Sequence, residues 1–199
     1  MDKQFIQPPI IIEEGPVNGH AIDIYSRLLM DRIIFIGSVI DDNVANTVCS
    51  QMLYLNSINN EPIQLFINSP GGSVTSGLQI IDMMNLIKSP VYTVGMGLCA
   101  SMAAVILSNG KKGNRIALPN SRIMIHQPSG GVIGKSTDME IVLKEMHVLR
   151  KNLYEILANN TGKTVEEIEA ASKDDNWMSS NEAKEFGVID KVSIKKGIL

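Results

Sequence analysis

Three short apolar segments, each followed by a turn and then by a stretch with helical spacing, predict an α/β domain with largely parallel strands. The segments are Arg32-Ile-Ile-Phe-Ile36, Ile63 to Ile67 and Val91 to Met96. Nothing linker-like or of low complexity divides the 199 residues, so the chain is expected to form one domain with a real core.

Helical spacing runs from Ile22 to Met30, and the strand to Ile36 is ended by Gly37. Asp41-Asp42 offers a cap for a helix reaching about Ile58. Pro62 precedes the second strand, and Asn68-Ser-Pro-Gly-Gly72 is a compact loop before a helix from Val74 to Ile87. The third strand, ending near Met96, is followed by two glycines' worth of turn and then by a helix-compatible run, Met102 to Leu107. Short strands are expected at Arg115 to Leu118 and Arg122 to Ile125, and Gly130-Gly131 and Gly134 mark a loop. A long helix then runs from Thr137 to about Asn159, with an apolar face of Met139, Val142, Leu143, Met146, Leu149, Leu153, Ile156 and Leu157. Such a face suits either a core or an arm that meets a partner subunit. Thr161-Gly162 ends it, and Thr164-x-x-Glu167 is a capping box opening another helix.

Composition excludes several classes. With 44% hydrophobic and 20% charged residues this is an ordinary globular chain, and a net charge of −3 argues against a nucleic-acid surface. Basic residues cluster no further than Lys111-Lys112 and Lys195-Lys196. Cys49 and Cys99 give neither zinc spacing nor a disulfide framework. No P-loop or dinucleotide fingerprint occurs, so neither a metal nor another cofactor is expected. The amino terminus lacks the pattern of a secretory signal. The most apolar window, Val91 to Leu107, falls short of the roughly 20 residues a spanning helix needs.

The candidate chemistry centres on Ser101, placed where a strand turns abruptly into a helix. Side chains held at the carboxyl edge of a strand are well placed to react. Twenty-five positions on, His126 ends another short strand. Imidazole titrates near neutral pH and can activate a hydroxyl, so the two form a nucleophile and base pair. Asp174 and Asp175, beside the single tryptophan Trp177, are both candidates to orient the base, and the indole would shield the carboxylate from water. Backbone N–H groups at Gly71-Gly72 and at Met102 are candidate oxyanion donors. His20 and His147 are weaker candidates, and Cys99 is expected to pack as a small apolar group. Ser101 does not sit in Gly-x-Ser-x-Gly, which disfavours an α/β-hydrolase elbow.

Phe66-Ile-Asn-Ser-Pro-Gly-Gly-Ser-Val74, Gly97-Leu-Cys-Ala-Ser-Met102 and Met124-Ile-His-Gln-Pro128 resemble the signature blocks of the ClpP family, the proteolytic subunits of Clp proteases. Asp23-Ile-Tyr-Ser-Arg-Leu-Leu29 and Glu182-Ala-Lys-Glu-Phe-Gly-Val-Ile-Asp190 match as well, and the resemblance runs from about Ile22 to Val192. It implies a crotonase-like α/β fold of repeated β-β-α units with a protruding long helix, at about 137–159, as a handle between two stacked seven-membered rings. Residues 1–20 would be an axial loop or propeptide-like segment, and 21–199 a single protease domain. It assigns Ser101, His126 and Asp175 as catalytic and the N–H groups of Gly72 and Met102 as oxyanion donors. Gly71, Gly130 and Gly131 fall in the substrate-binding segments, where an extended peptide gains main-chain hydrogen bonds.

The implied function is a serine endopeptidase subunit of a self-compartmentalised protease, acting on unfolded proteins delivered by a Clp-type AAA+ unfoldase. That partner would consume the ATP. The ring would be homomeric or mixed with a paralogue, in a bacterial cytoplasm or an organelle stroma or matrix. The alternatives are a catalytically silent scaffold subunit and an acyl-CoA enzyme of the same fold; the intact Ser101, His126 and Asp175 set speaks against both. Three positions depart from the family pattern. Lys173-Asp174 stands where an acidic residue and an arginine are frequent, Gln64 is polar in a strand that usually carries aromatic residues, and Ala103 replaces a frequent glycine.

Overall fold

The computed structural model describes residues 9–13, 20–131 and 134–193. Most of the expected amino-terminal segment 1–20 therefore lies outside the described residues.

In chain order the elements are β1 (Ile10–Glu13), β2 (His20–Asp23), α1 (Ile24–Met30), β3 (Ile33–Ile36), α2 (Asp42–Ile58), β4 (Ile63–Ser69), α3 (Val74–Leu86), β5 (Val91–Ala100) and α4 (Met102–Ser108). There follow β6 (Arg115–Ala117), β7 (Arg122–Ile125), α5 (Ser136–Thr161), α6 (Val165–Ala171), β8 (Asn176–Ser179), α7 (Ser180–Phe186) and β9 (Lys191–Val192). The main path of the central sheet is β3-β4-β5-β6-β9, parallel throughout, and β1 pairs with β2 in a separate antiparallel ribbon. The α/β class expected from the apolar strands is the one found.

Local chemistry explains most boundaries. The helix expected from Ile22 begins only at Ile24, because the Asp23 carboxylate caps the Tyr25 and Ser26 N–H groups and leaves the residues before it in β2. Asp41 and Ser73 cap α2 and α3 in the same way. Thr164 and Glu167 form the expected capping box of α6, and Gly162, in the left-handed region at φ 79°, ends α5.

The strand expected to stop near Met96 continues to Ala100 and changes partner on the way. Residues 93–95 pair with β6, whereas 98–100 pair with β7. The bend lies at Gly97, with φ 60°. The Asn68 side-chain oxygen accepts the Leu98 N–H at 3.0 Å across a break in the β4–β5 register. A Cβ on Gly97 would lie 2.8 Å from that oxygen, so glycine is required on both counts. β7 then carries β8 antiparallel on its far side.

All seven residues of α4 are buried, with α3, α5 and strands β4, β5 and β7 packed around it. Val105, Ile106 and Leu107 each contribute about 1.5–3 kcal/mol by leaving water. The long helix α5 is divided: Leu153, Tyr154, Leu157 and Ala158 join the core, while Ile141, Val142, Leu143 and Val148 are exposed in the single chain. Its apolar face is therefore core at one end and an uncovered arm at the other.

A buried ion pair closes the sheet. Arg115, 4% exposed, binds Asp190 through Nε at 3.0 Å and Nη2 at 2.6 Å. Its Nη1 also donates to the Ser108 and Asn160 carbonyls, at the ends of α4 and α5. Burial pushes the Asp190 carboxyl up, but the Arg115 bonds, its charge and the Gly113 N–H outweigh it and leave the group below its ordinary value. A carboxylate depressed in the folded state adds stability that is present above its unfolded pKa, about 3.9, and is lost as pH falls through the folded value. Arg115→Met, which strands the carboxylate, is expected to cost about 3–5 kcal/mol at pH 7. Denaturant titrations at several pH values check this: the loss should shrink on acidification as Asp190 becomes neutral.

Candidate active site

Ser101 joins β5 directly to α4. Its backbone lies at φ 56° and ψ −127°, a conformation that costs a non-glycine residue about 1–3 kcal/mol and persists only where the surroundings enforce it. They do so here: the Ser101 N–H donates to the Met124 carbonyl of β7 at 2.8 Å, and its own carbonyl accepts from Ala104. The hydroxyl makes no cap bond to the helix, so the ordinary role of a serine at a helix start is not the one it plays.

His126 follows β7, and its Nε2 lies 2.9 Å from Ser101 Oγ. Its Nδ1 lies 3.0 Å from Asp175 Oδ1, just ahead of β8. A carboxylate only accepts, so Nδ1 carries the ring proton and Nε2 offers its lone pair to the serine hydroxyl. Asp175 rather than Asp174 occupies this position. The shielding expected from Trp177 is not found. Asp175 is 58% exposed and Trp177 46%, and the indole lines a shallow groove with Lys163, Met178, Glu182 and Phe186 that excludes Asp175.

Gly71-Gly72 packs against the Ser101 turn. A Cβ on Gly71 would lie 2.8 Å from Ser101 Cβ and 3.0 Å from the Met102 nitrogen. At Gly72, with φ 154°, a Cβ would lie 2.2 Å from the Ile40 carbonyl oxygen. The bridge to Ile40 uses the Gly71 carbonyl and the Ser73 N–H and leaves the Gly72 N–H out of it. Met102 opens α4, where helix geometry supplies no acceptor for its N–H. The Gly71-Gly72 turn thus packs against the corner formed by Ser101 and Met102.

A small cavity of about 20 Å³ adjoins Ser101 and His126, lined by Val74, Met102, Val105, Pro128, Tyr154 and Leu157 among others. A larger open groove of about 780 Å³ holds Tyr25, Leu28, Phe35 and Met96, and no residue of the Ser–His–Asp group. Proximity to the nucleophile makes the smaller one relevant.

The remaining candidates lie elsewhere. Gly130 and Gly131 are exposed and in no regular strand, and Val132 and Ile133 lie outside the described residues. His147 is exposed on α5; His20 lies in β2, its side chain outside the described residues. Cys99 is fully buried with Sγ 3.2 Å from the Ile67 carbonyl oxygen, and burial pushes its thiol up to about 12. It is an apolar packing group and no rival nucleophile. Residue patterns missed Asn68, the brace of the β5 bend, and the cavity wall contributed by α5; only spatial neighbours disclose either.

Against known proteins, the family model for Clp protease matches residues 16–196. The chain belongs to the Clp protease family. It is 51% identical over 189 residues to a protein of Bacteroides fragilis strain ATCC 25285, covering 94% of this chain and 91% of that one. A protein of B. fragilis strain YCH46 is also 51% identical, and one of Bacteroides thetaiotaomicron 50%, each covering 94% of this chain and 86% of its own length. All three are named ATP-dependent Clp protease proteolytic subunit. The Clp protease family is one of serine peptidases, which places the chain's enzyme class. Among the described residues no group of three or more His, Cys, Asp or Glu could hold a metal ion, and no helix is long and apolar enough to cross a membrane.

If the geometry assigns the orienting carboxylate correctly, Asp175→Asn lowers peptide-hydrolysis kcat by about 10²- to 10⁴-fold, since an amide can no longer hold the required tautomer. Asp174→Asn should stay within about twofold. Steady-state kinetics on the two variants side by side checks the assignment.

Proposed function

We propose that the protein is the serine endopeptidase subunit of an ATP-dependent Clp protease, cleaving unfolded proteins and peptides inside a closed chamber. The relay Asp175, His126, Ser101, with both bonds at 2.9–3.0 Å, carries the reading. His126 takes the Ser101 proton as Oγ attacks a peptide carbonyl. The N–H groups of Gly72 and Met102 hold the oxyanion. His126 then gives its proton to the leaving amine, an acyl-enzyme remains on Ser101, and water drawn in by His126 releases it. Main-chain contacts from Gly71 and the Gly130-Gly131 segment align the peptide with little sequence demand.

Two stacked seven-membered rings, homomeric or mixed with a paralogue, complete the proposal. They give the exposed half of α5 its cover: Ile141, Leu143 and Val148 form an apolar arm of the kind that subunit interfaces bury. A Clp-type AAA+ unfoldase would feed substrate and spend the ATP. Phe66 stacks on Phe35 at 5.3 Å, and Tyr25 meets Phe35 edge-on at 5.9 Å, an aromatic row for its docking. The bacterial cytoplasm, or an organelle stroma or matrix, is the compartment this role implies. A scaffold role would leave the strained Ser101 turn and its relay without a use.

Ser101→Ala should abolish cleavage of a short fluorogenic peptide while leaving native mass unchanged; activity above a few per cent of wild type would point to a different nucleophile. Replacing Ile141 and Leu143 together by lysine should lower native mass by at least half, read by light scattering, with little loss of helix content in circular dichroism. An unchanged mass would remove α5 from the assembly.

A further inference from the structure

The position of Asp175 needs an explanation that the relay itself does not provide. Among the described residues its carboxylate bonds only His126, and it is mostly exposed. A single bond to a solvated side chain does not fix a loop. What holds Asp175 must therefore act on the backbone around it.

The β7–β8 ladder supplies one end of that hold. Its last pair is Ile125 with Asn176, which puts His126 opposite Asp175 and would put Gln127 opposite Asp174 if the ladder continued. It does not continue. The Gln127 N–H donates instead to the Ser172 carbonyl at 2.7 Å, and its side-chain Nε2 donates to the Lys173 carbonyl at 2.9 Å. Residues Lys173–Asp175 thus leave the sheet as a short bend fastened at both ends, by the ladder at Asn176 and by Gln127 at 172–173. Ser172 is itself buried, and its N–H closes the end of α6 on Ile168, so the second fastening is rigid.

We infer that Gln127 is a positioning residue of the proteolytic site: its side chain clips the Lys173 carbonyl and so holds the Asp175 carboxylate against His126. The inference rests on the serine-peptidase reading above. The Gln127 bonds go to the Ser172 and Lys173 carbonyls and not to Ser101 or the oxyanion donors; it acts through Asp175. A displacement of Asp175 by an ångström would weaken the His126 bond and slow every step in which the imidazole accepts a proton. Substrate binding, which uses other groups, would change little.

The experiment compares assembled wild type with Gln127→Met, which keeps length and loses the donor, and Gln127→Glu, which sets a carboxylate against the Lys173 carbonyl. Both are combined with Asp175→Asn, and Ser101→Ala is the control. Two readouts are taken: the rate of labelling by a fluorophosphonate, in which Ser101 Oγ displaces fluoride from phosphorus and the proton passes to His126, and kcat and KM on a short peptide. The expected result for both Gln127 variants is a fall of about five- to tenfold in labelling rate and kcat, with KM within about twofold. In the Asp175→Asn background the same changes should cost less than about twofold, because the residue through which Gln127 acts is already disabled. Labelling of both single variants at the wild-type rate would overturn the inference alone. So would a full additive loss in the double variants, or a melting midpoint lowered by more than about 5 °C, either of which marks Gln127 as a general stabiliser. A wild type that labels no faster than Ser101→Ala would instead remove the serine-peptidase reading, and this inference with it.

Discussion

Strand β5 changes partner in its middle, and the rest of the molecule depends on that change. Up to Gly95 it lies between β4 and β6 as an ordinary strand of a parallel sheet. Beyond Gly97 it lies against β7, and its last residue delivers the chain into α4. The bend leaves backbone groups that a regular ladder would have satisfied, and buried groups of that kind must be paired. Asn68 supplies the acceptor on one side. On the other, the Gly95 carbonyl accepts from the Leu118 N–H and the Ser121 hydroxyl, in the loop that brings the chain from β6 to β7. The branch that carries His126 and Asp175 exists because this break is stabilised.

The consequence for chemistry is one of placement. The nucleophile sits on a turn fixed by the sheet on one side and by an entirely buried helix on the other. The base ends the neighbouring strand, and the orienting carboxylate precedes the next. Three adjacent strand ends thus present three side chains in line, and antiparallel register between β7 and β8 sets the order of the last two. Burial falls along the same line, from the half-buried serine to the exposed aspartate. The weakest member is where extra backbone fastening is found, at Gln127. Positioning by second-tier contacts of this kind is the usual way a site gains precision without burying its charges.

Stability and function are held by different contacts. The core around α4 and the Arg115–Asp190 pair fasten both ends of the fold, and Arg115 ties the ends of α4 and α5 to one carboxylate. The arm of α5 adds little to the single chain, since its apolar side chains remain in water there. Free energy is gained from such a surface only when another chain covers it.

The sequence by itself determined the alternation of strands and helices, the caps at Asp41 and Thr164, the turn at Ser101 and the candidacy of His126. These rest on signals within a few residues: periods of two and 3.6, and cap bonds spanning two or three positions. Between Asp174 and Asp175 the residues alone left a choice that the family resemblance narrowed and sheet register placed in space. Only the tertiary structure decided the β5 branch, the Asn68 brace, the Gln127 clip and the pairing of Arg115 with Asp190. The residues paired in them lie 22 to 75 positions apart in sequence. No local pattern encodes such a contact, because a chain that reverses several times brings residues together according to which strands pair and in which register.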